Sequence, residues 1–165
     1  MRDQLKSFHS YFWGLTKADF ESTSELIKTM MKAFYELSNK VELSNLEPHE
    51  INLYMFQHYQ ETQFIIQFGI WRLQSIFESL VKTEFDINTR MGLREIIKKV
   101  ESQNYKIINK NELFEWSDLR NSLSHSAPET LHPDPIFFVE KDIDDFSKLL
   151  LNTFEDLLSQ KALTN

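Results

Sequence analysis

The stretch that decides the fold class is PHEINLYMFQHYQETQFIIQFGIWRLQSIFESLVKTEF, residues 48–85. It contains no proline after Pro48, and a helix accepts proline in its first turn because the N–H groups there have no partner inside the helix. The pattern therefore predicts one long central helix from about Pro48 to Phe85. The chain has only 3 glycines and 4 prolines, too few for the turns of a many-stranded sheet. We expect an all-α fold, a bundle of about five to six helices.

Two apolar stripes run along the predicted long helix. The first recurs at helical spacing and consists of Ile66, Ile70, Leu73, Phe77 and Leu80. The second consists of Phe64, Phe68 and Trp71. An ordinary surface helix buries one stripe, so a second one predicts a cover on another side. That cover is either the rest of the same bundle or a second subunit, in which case these three residues form the interface of a homodimer.

The length of 165 residues predicts a single domain. Residues 1–20 form an aromatic amphipathic segment that we expect to dock on the bundle, and residues 22–162 form the bundle itself. The Ser22-x-x-Glu25 spacing is that of a capping box, and it predicts a helix that begins after Ser22. The last helix is the clearest, because its apolar residues keep helical spacing: Ile143, Phe146, Leu150, Phe154 and Leu157.

Two shorter helices are predicted between the long helix and the last one. Asn88 or Thr89 is expected to cap the first, LREIIKKV at residues 93–100. The second, ELFEWSDLRNSLSH, ends by about His125, because Pro128 disfavours helical backbone in the residue before it. The run IFFV that follows is too short to distinguish a strand from an extended packing segment.

Composition excludes several classes of function. The chain has no cysteine, which removes disulfides, thiol nucleophiles and cysteine-ligated zinc and suits a reducing cytoplasm. No stretch has the length and apolarity of a membrane span, and the N-terminus lacks the apolar core of a signal peptide, so we expect no membrane partner. The net charge of −7 argues against a general nucleic-acid coat protein. No metal site and no cofactor are predicted. Glu129-x-x-His132 has di-iron spacing, but it lies in a proline-rich stretch and has no second copy, and Leu53 stands where a zinc-binding His49-Glu50 helix would need its second histidine.

Arg120, Asn121 and His125 form the polar cluster that suits chemistry. Asn121 and His125 share a helix face, whereas Arg120 and His125 point about 140° apart and can line two sides of a groove. An imidazole shuttles the proton of a ribose 2′-hydroxyl, and a guanidinium stabilises charge on phosphoryl oxygens. The cluster therefore suits RNA cleavage without a metal. The alternative is that a cation and a histidine merely complement the C-terminus of a helix.

The segment RNSLSH, residues 120–125, resembles the R-N-x-x-x-H signature of the HEPN superfamily. The order of LREIIKKV, a polar connection and a WSDLRN helix is also similar to that family over about residues 60–160. The resemblance implies a compact helical bundle that pairs so that two motifs face one cleft. It further implies an endoribonuclease of toxin–antitoxin or anti-phage type, with RNA as substrate, an antitoxin or defence-system partner, Arg120 and His125 as catalytic residues and Asn121 as the orienting one.

Two features limit what the resemblance implies. One HEPN subgroup carries a tyrosine two positions after the histidine, and here Ala127 stands there, so the modification of that tyrosine is not carried over. Other members have lost activity and serve as binding or dimerisation modules that regulate a partner. A catalytically silent module of this kind is the alternative function.

A basic segment precedes the candidate cluster. Between residues 90 and 110 six basic residues stand against two glutamates in an otherwise acidic chain. Arg90, Arg94 and Lys98 are predicted to share one helix face and to hold the RNA backbone on the way into the site. The alternative for these three residues is a solvated helix face.

Overall fold

The computed structural model describes residues 16–88, 90, 92–125 and 138–164, with residues 122–125 described by their backbone. This part of the chain forms five α-helices and one 3₁₀ turn and contains no strand, which confirms the predicted all-α bundle. The elements in chain order are α1 (Ala18–Ser38), the 3₁₀ turn (Leu43–Asn45), α2 (Pro48–Glu84), α3 (Leu93–Ser102), α4 (Lys110–His125) and α5 (Glu140–Thr164). Over the same residues, no helix combines the length and the apolarity that crossing a lipid bilayer requires.

Helix α1 begins earlier than predicted. Ser22 lies inside the helix and its hydroxyl donates to the carbonyl of Ala18, so the expected cap at Ser22 is wrong. The first turn is closed instead by Asp19, whose carboxylate accepts from the backbone N–H and the hydroxyl of Thr16. The physical reason is Phe20, which is fully buried and can enter the core only if the helix already exists there. Residues 18–20, which were predicted as the end of the docking segment, belong to α1. Residues 1–15 of that segment lie outside the described part.

Helix α2 has the predicted bounds. Pro48 occupies its first turn, and Glu47 and Glu50 form a reciprocal capping box in which the Glu50 carboxylate accepts from the Glu47 N–H at 2.8 Å. The first apolar stripe is buried as expected. At Gly69 a Cβ atom would lie 2.7 Å from Ile143 Cδ1 and 2.8 Å from Ile27 Cγ1. Glycine therefore lets α1 and α5 both approach the middle of α2.

Helix α3 begins at Leu93 with Gly92 as its N-cap, so the predicted cap at Asn88 or Thr89 is wrong. The reason is that the chain up to Ile87 still completes the end of α2, where the Ile87 N–H donates to the carbonyl of Lys82. The predicted apolar residues of α3 are buried. Helix α4 is described from Lys110 to His125, and α5 buries its five predicted core residues.

Among the described residues, the other helices cover α2 along only part of its length. Gln63 binds the residue that precedes α5, since its amide accepts from the Phe138 N–H and donates to the Phe138 carbonyl, both at 3.0 Å. Helix α5 therefore starts level with Gln63. The first 15 residues of α2, about 22 Å of helix, extend past that point with α1 beside them.

Candidate functional site

Helix α4 is anchored by one aromatic side chain. The ring of Trp116 stacks on Phe146 of α5 with centroids 4.6 Å apart, and on Phe138 at 6.4 Å. Leu113 and Ser117 are buried on the same side of α4. Because Trp116 precedes the candidate cluster by about one helical turn, this packing fixes where the cluster begins.

Arg120 lies against the second apolar stripe of α2. Its side chain is half-buried, with a buried Nε, and its Cζ lies 5.8 Å from the centroid of the Trp71 ring. This is the geometry of a cation–π contact. The sequence predicted Arg120 as catalytic and Trp71 as interfacial, but it carried no signal that the two adjoin, because they lie on different helices.

Asn121 and His125 occupy the last turns of α4. Asn121 is exposed and follows Arg120 by about 100° around the helix axis. His125 is the last described residue of α4, about 7.5 Å along the helix axis from Arg120, and its side chain lies outside the described part. The structure thus places the backbone of all three predicted residues on the final turns of one helix.

The predicted interface residues Phe64, Phe68 and Trp71 are 67%, 53% and 41% exposed. They lie within one arc of α2, roughly opposite the buried Leu73. Their own bundle leaves them uncovered as far as the chain is described. Between Glu50 and Arg72 the sequence has one charged residue, Glu61. An exposed surface rich in aromatic residues and poor in charge is typical of protein interfaces.

Helix α1 widens this surface. On one side of α1, Lys28 Nζ forms an ion pair with Asp144 Oδ1 of α5 at 3.0 Å. Leu26 and Met30 lie on the opposite side of α1 and are exposed. The α1–α2 pair has an exposed apolar surface on the side that is turned away from α5, and we call this surface the outer face. It consists of Leu26, Met30, Phe64, Phe68 and Trp71. The α1 residues are an addition that the sequence analysis missed, although their i, i+4 spacing was visible.

The basic residues near α3 divide into two groups. Arg94 forms an ion pair with Asp118 of α4, and its guanidinium lies 4.3 Å from the ring centroid of Phe114. Lys98 pairs with Glu95 on its own helix at 2.7 Å and stays largely exposed. Arg90 is exposed and precedes α3, so the prediction that Arg90, Arg94 and Lys98 share one helix face is wrong. Arg94 has a structural task, since it ties α3 to α4.

One polar contact between helices perturbs ionisation. Burial raises the pKa of Asp144, but hydrogen bonds from Lys28 and Ser24 and the charge of Lys28 outweigh burial, so the pKa lies below its usual value. The hydrogen bond to Asp144 in turn raises the pKa of Lys28. This cluster lines a groove of about 540 Å³ between α1 and α5, on the opposite flank of α1 from the outer face.

Comparison of the chain with protein-family models, curated proteins and solved structures gives no match. The resemblance to the HEPN superfamily rests on the residues of this chain.

Proposed function

We propose that the chain is a metal-independent endoribonuclease of HEPN type that acts as a homodimer. Arg120 and His125 are the catalytic residues, and Asn121 orients the imidazole. The observation that carries the proposal is the contact between Arg120 and Trp71, because it sets the candidate site at the edge of the exposed outer face. A second copy that docks there brings two such sites to one cleft.

The chemistry follows from the side chains. His125 accepts the proton of the ribose 2′-hydroxyl, or donates one to the leaving oxygen, as the 2′-oxygen attacks phosphorus and the bond to the 5′-oxygen breaks. The products are a 2′,3′-cyclic phosphate and a 5′-hydroxyl. Arg120 stabilises the charge on the phosphoryl oxygens. Trp71 supports one face of the guanidinium, a stacked geometry that arginine often adopts on aromatic rings.

The test uses purified wild-type protein and variants with a mixture of single-stranded and structured RNAs in EDTA. We expect wild-type protein to produce 2′,3′-cyclic phosphate ends, His125→Ala to abolish them, and Arg120→Ala to lower the rate by about 10²–10³. His49→Ala, at the far end of α2, is the matched control and should cleave like wild type. Cleavage that survives loss of His125 would overturn the catalytic assignment.

The homodimer is tested separately by light scattering at micromolar concentration. The double variant with Phe64→Ser and Phe68→Ser should be a monomer and should cleave RNA more slowly. The reason is that the two phenyl rings no longer bury apolar surface against the second copy. Leu163→Ser alters an exposed leucine at the other end of the molecule and should change neither. Cleavage of RNA by a monomeric wild-type protein would contradict the proposal that two copies together form the active site.

A catalytically silent HEPN module that regulates a partner is the second candidate. It is favoured by the half-buried position of Arg120, which suits a packing role against Trp71. If Arg120→Ala lowers thermal stability and wild-type protein cleaves no RNA, this function replaces the enzyme.

The biological setting of the enzyme is proposed as a cytoplasmic toxin or anti-phage effector. Expression in bacteria should then slow growth, and His125→Ala should relieve that effect. A neighbouring antitoxin gene would support the same role.

A further inference from the structure

The groove between α1 and α5 lies on the side of α1 opposite the outer face, and we call it the α1–α5 groove. Two ion pairs connect its walls, Lys17 with Glu155 and Lys28 with Asp144, both at 3.0 Å. About 16 Å of α1 lies between the two lysines. Because these contacts hold the walls together, the groove exists before a ligand enters and needs little rearrangement to accept one.

Ser147 of α5 lines the α1–α5 groove and is only 9% exposed. A serine or threonine inside a helix commonly donates to the carbonyl four residues earlier, as Thr153 and Ser159 do on the same helix. The Ser147 hydroxyl makes no hydrogen bond with any residue that the structure describes. A buried polar group without a partner costs free energy, and a ligand that supplies the partner removes this cost.

Two charged side chains stand on opposite walls of the α1–α5 groove, Lys148 on α5 and Glu21 on α1, and both are exposed. Within the described part of the chain neither of them forms an ion pair. The charge of Lys148 does act on Asp144, whose pKa it helps to lower. Phe20 and Leu151 line the groove as well. The groove therefore offers a cation, an anion, a hydroxyl and an apolar surface to one ligand.

The charges that line the α1–α5 groove restrict what it can bind. Three lysines stand against four carboxylates, a net charge of −1. The carboxylates repel a polyanion such as RNA. The lysines oppose a divalent cation, and no cluster of histidines and carboxylates in the described residues suits a metal ion. A molecule with both an ammonium and a carboxylate can pair with both kinds of charge, and a volume of about 540 Å³ is that of a small-molecule site.

We propose that the α1–α5 groove binds a small zwitterion with an apolar side chain, which is the chemistry of a free amino acid or of a dipeptide. Lys148 pairs with the carboxylate of the ligand, and Glu21 pairs with its ammonium group. The Ser147 hydroxyl donates to the ligand carboxylate, and the apolar side chain packs on Phe20 and Leu151. This binding does not depend on the ribonuclease function, because the groove and the outer face lie on opposite sides of α1.

The test is calorimetric titration of the full wild-type chain with L-leucine and, separately, with leucyl-leucine. We expect at least one of them to bind with a Kd of about 1 mM or tighter. The tighter ligand identifies whether the groove takes a free amino acid or a dipeptide. If neither ligand at about 10 mM gives saturable heat or raises Tm, the proposal is wrong.

Three variants assign the contacts. Lys148→Gln and Glu21→Gln should each weaken binding about tenfold, because each removes a charged hydrogen-bond partner. Ser147→Ala should weaken binding about fivefold without lowering Tm of the unliganded protein, because the hydroxyl has no protein partner to lose. Matched controls outside the groove should bind within about twofold of wild type; they are Lys141→Gln, Glu115→Gln and Ser159→Ala.

Two analogues of the tighter ligand show which charge meets which side chain. With an amide in place of the carboxylate, binding should be weaker and insensitive to Lys148→Gln. With an acetylated amine, binding should be weaker and insensitive to Glu21→Gln. Analogues that bind as tightly as the parent ligand, or wild-type affinity in the three groove variants, would overturn the proposal.

Discussion

Helix α2 has two halves that differ in what covers them. From Gln63 to Val81 it is packed by α1, α3, α4 and α5, and its first apolar stripe is buried. From Pro48 to Thr62 it has α1 beside it and leaves Leu53, Met55 and Phe56 exposed. Both halves show apolar residues at helical spacing. The spacing of apolar residues thus identifies a helix. Which of those apolar residues are buried depends on where the neighbouring helix begins.

The largest expected effect comes from two leucines of the same helix. Leu73 is 0% exposed and Leu53 is 65% exposed. Leu73→Ala should lower the free energy of unfolding by about 2–5 kcal/mol, because it removes buried methyl groups and leaves a cavity. Leu53→Ala should change it by no more than about 0.5 kcal/mol. Urea denaturation at fixed protein concentration measures both, and equal losses would show that the first half of α2 is as well covered as the packed half.

Gly69 tests the crossing point that organises the packed half. Gly69→Ala should destabilise the protein by about 1–3 kcal/mol, since the new methyl group overlaps Ile27 Cγ1 and this outweighs the gain in helix propensity. Gly92→Ser is the control, because a Cβ there meets no atom within 4 Å and serine suits an N-cap. A neutral Gly69→Ala in the same denaturation measurement would mean that α1 and α5 yield easily at this position.

The basic residues in and before α3 can be tested through RNA binding. Neutralising Arg90 and Lys98 to glutamine should weaken binding and reduce the slope of log affinity against log salt by about 1.4 if both contact phosphate. Arg94→Gln should in addition lower stability by about 0.5–1 kcal/mol, because it breaks the ion pair with Asp118. Filter binding over a salt series gives the slopes, and unchanged slopes would leave these residues as a solvated surface.

A still smaller effect concerns Asp144, which lies in the first turns of α5 and contacts Lys28 and Ser24 of α1. Its folded pKa lies below the usual value, so its contribution is present above the unfolded pKa and is lost as the pH falls through the folded one. Asp144→Asn should therefore lower Tm slightly at neutral pH, and the difference should begin to shrink near about pH 4 and vanish only when the pH falls below the folded pKa. A difference that persists in acid would point to packing rather than charge.

Sequence reasoning came close for the helices and fell short at their caps and at the site. The bounds of α2 follow from Pro48 and an uninterrupted apolar pattern. The caps of α1 and α3 were missed because burial of Phe20 and completion of the α2 C-terminus compete with capping preferences. Similarly, the spacing around Lys98 did not reveal that Arg94 is engaged by Asp118.

By itself the sequence determined that this chain is an all-helical bundle around one long helix, because backbone hydrogen bonds and apolar periodicity are local. It also determined which residues are candidates for chemistry, since residue type and helical spacing are local as well. The contact of Arg120 with Trp71 and the extension of the outer face by α1 arise only when the helices pack together. Both results depend on how helices that are far apart in sequence meet at Gly69 and Gln63. Packing of this kind is not visible in the spacing of apolar residues within a single helix.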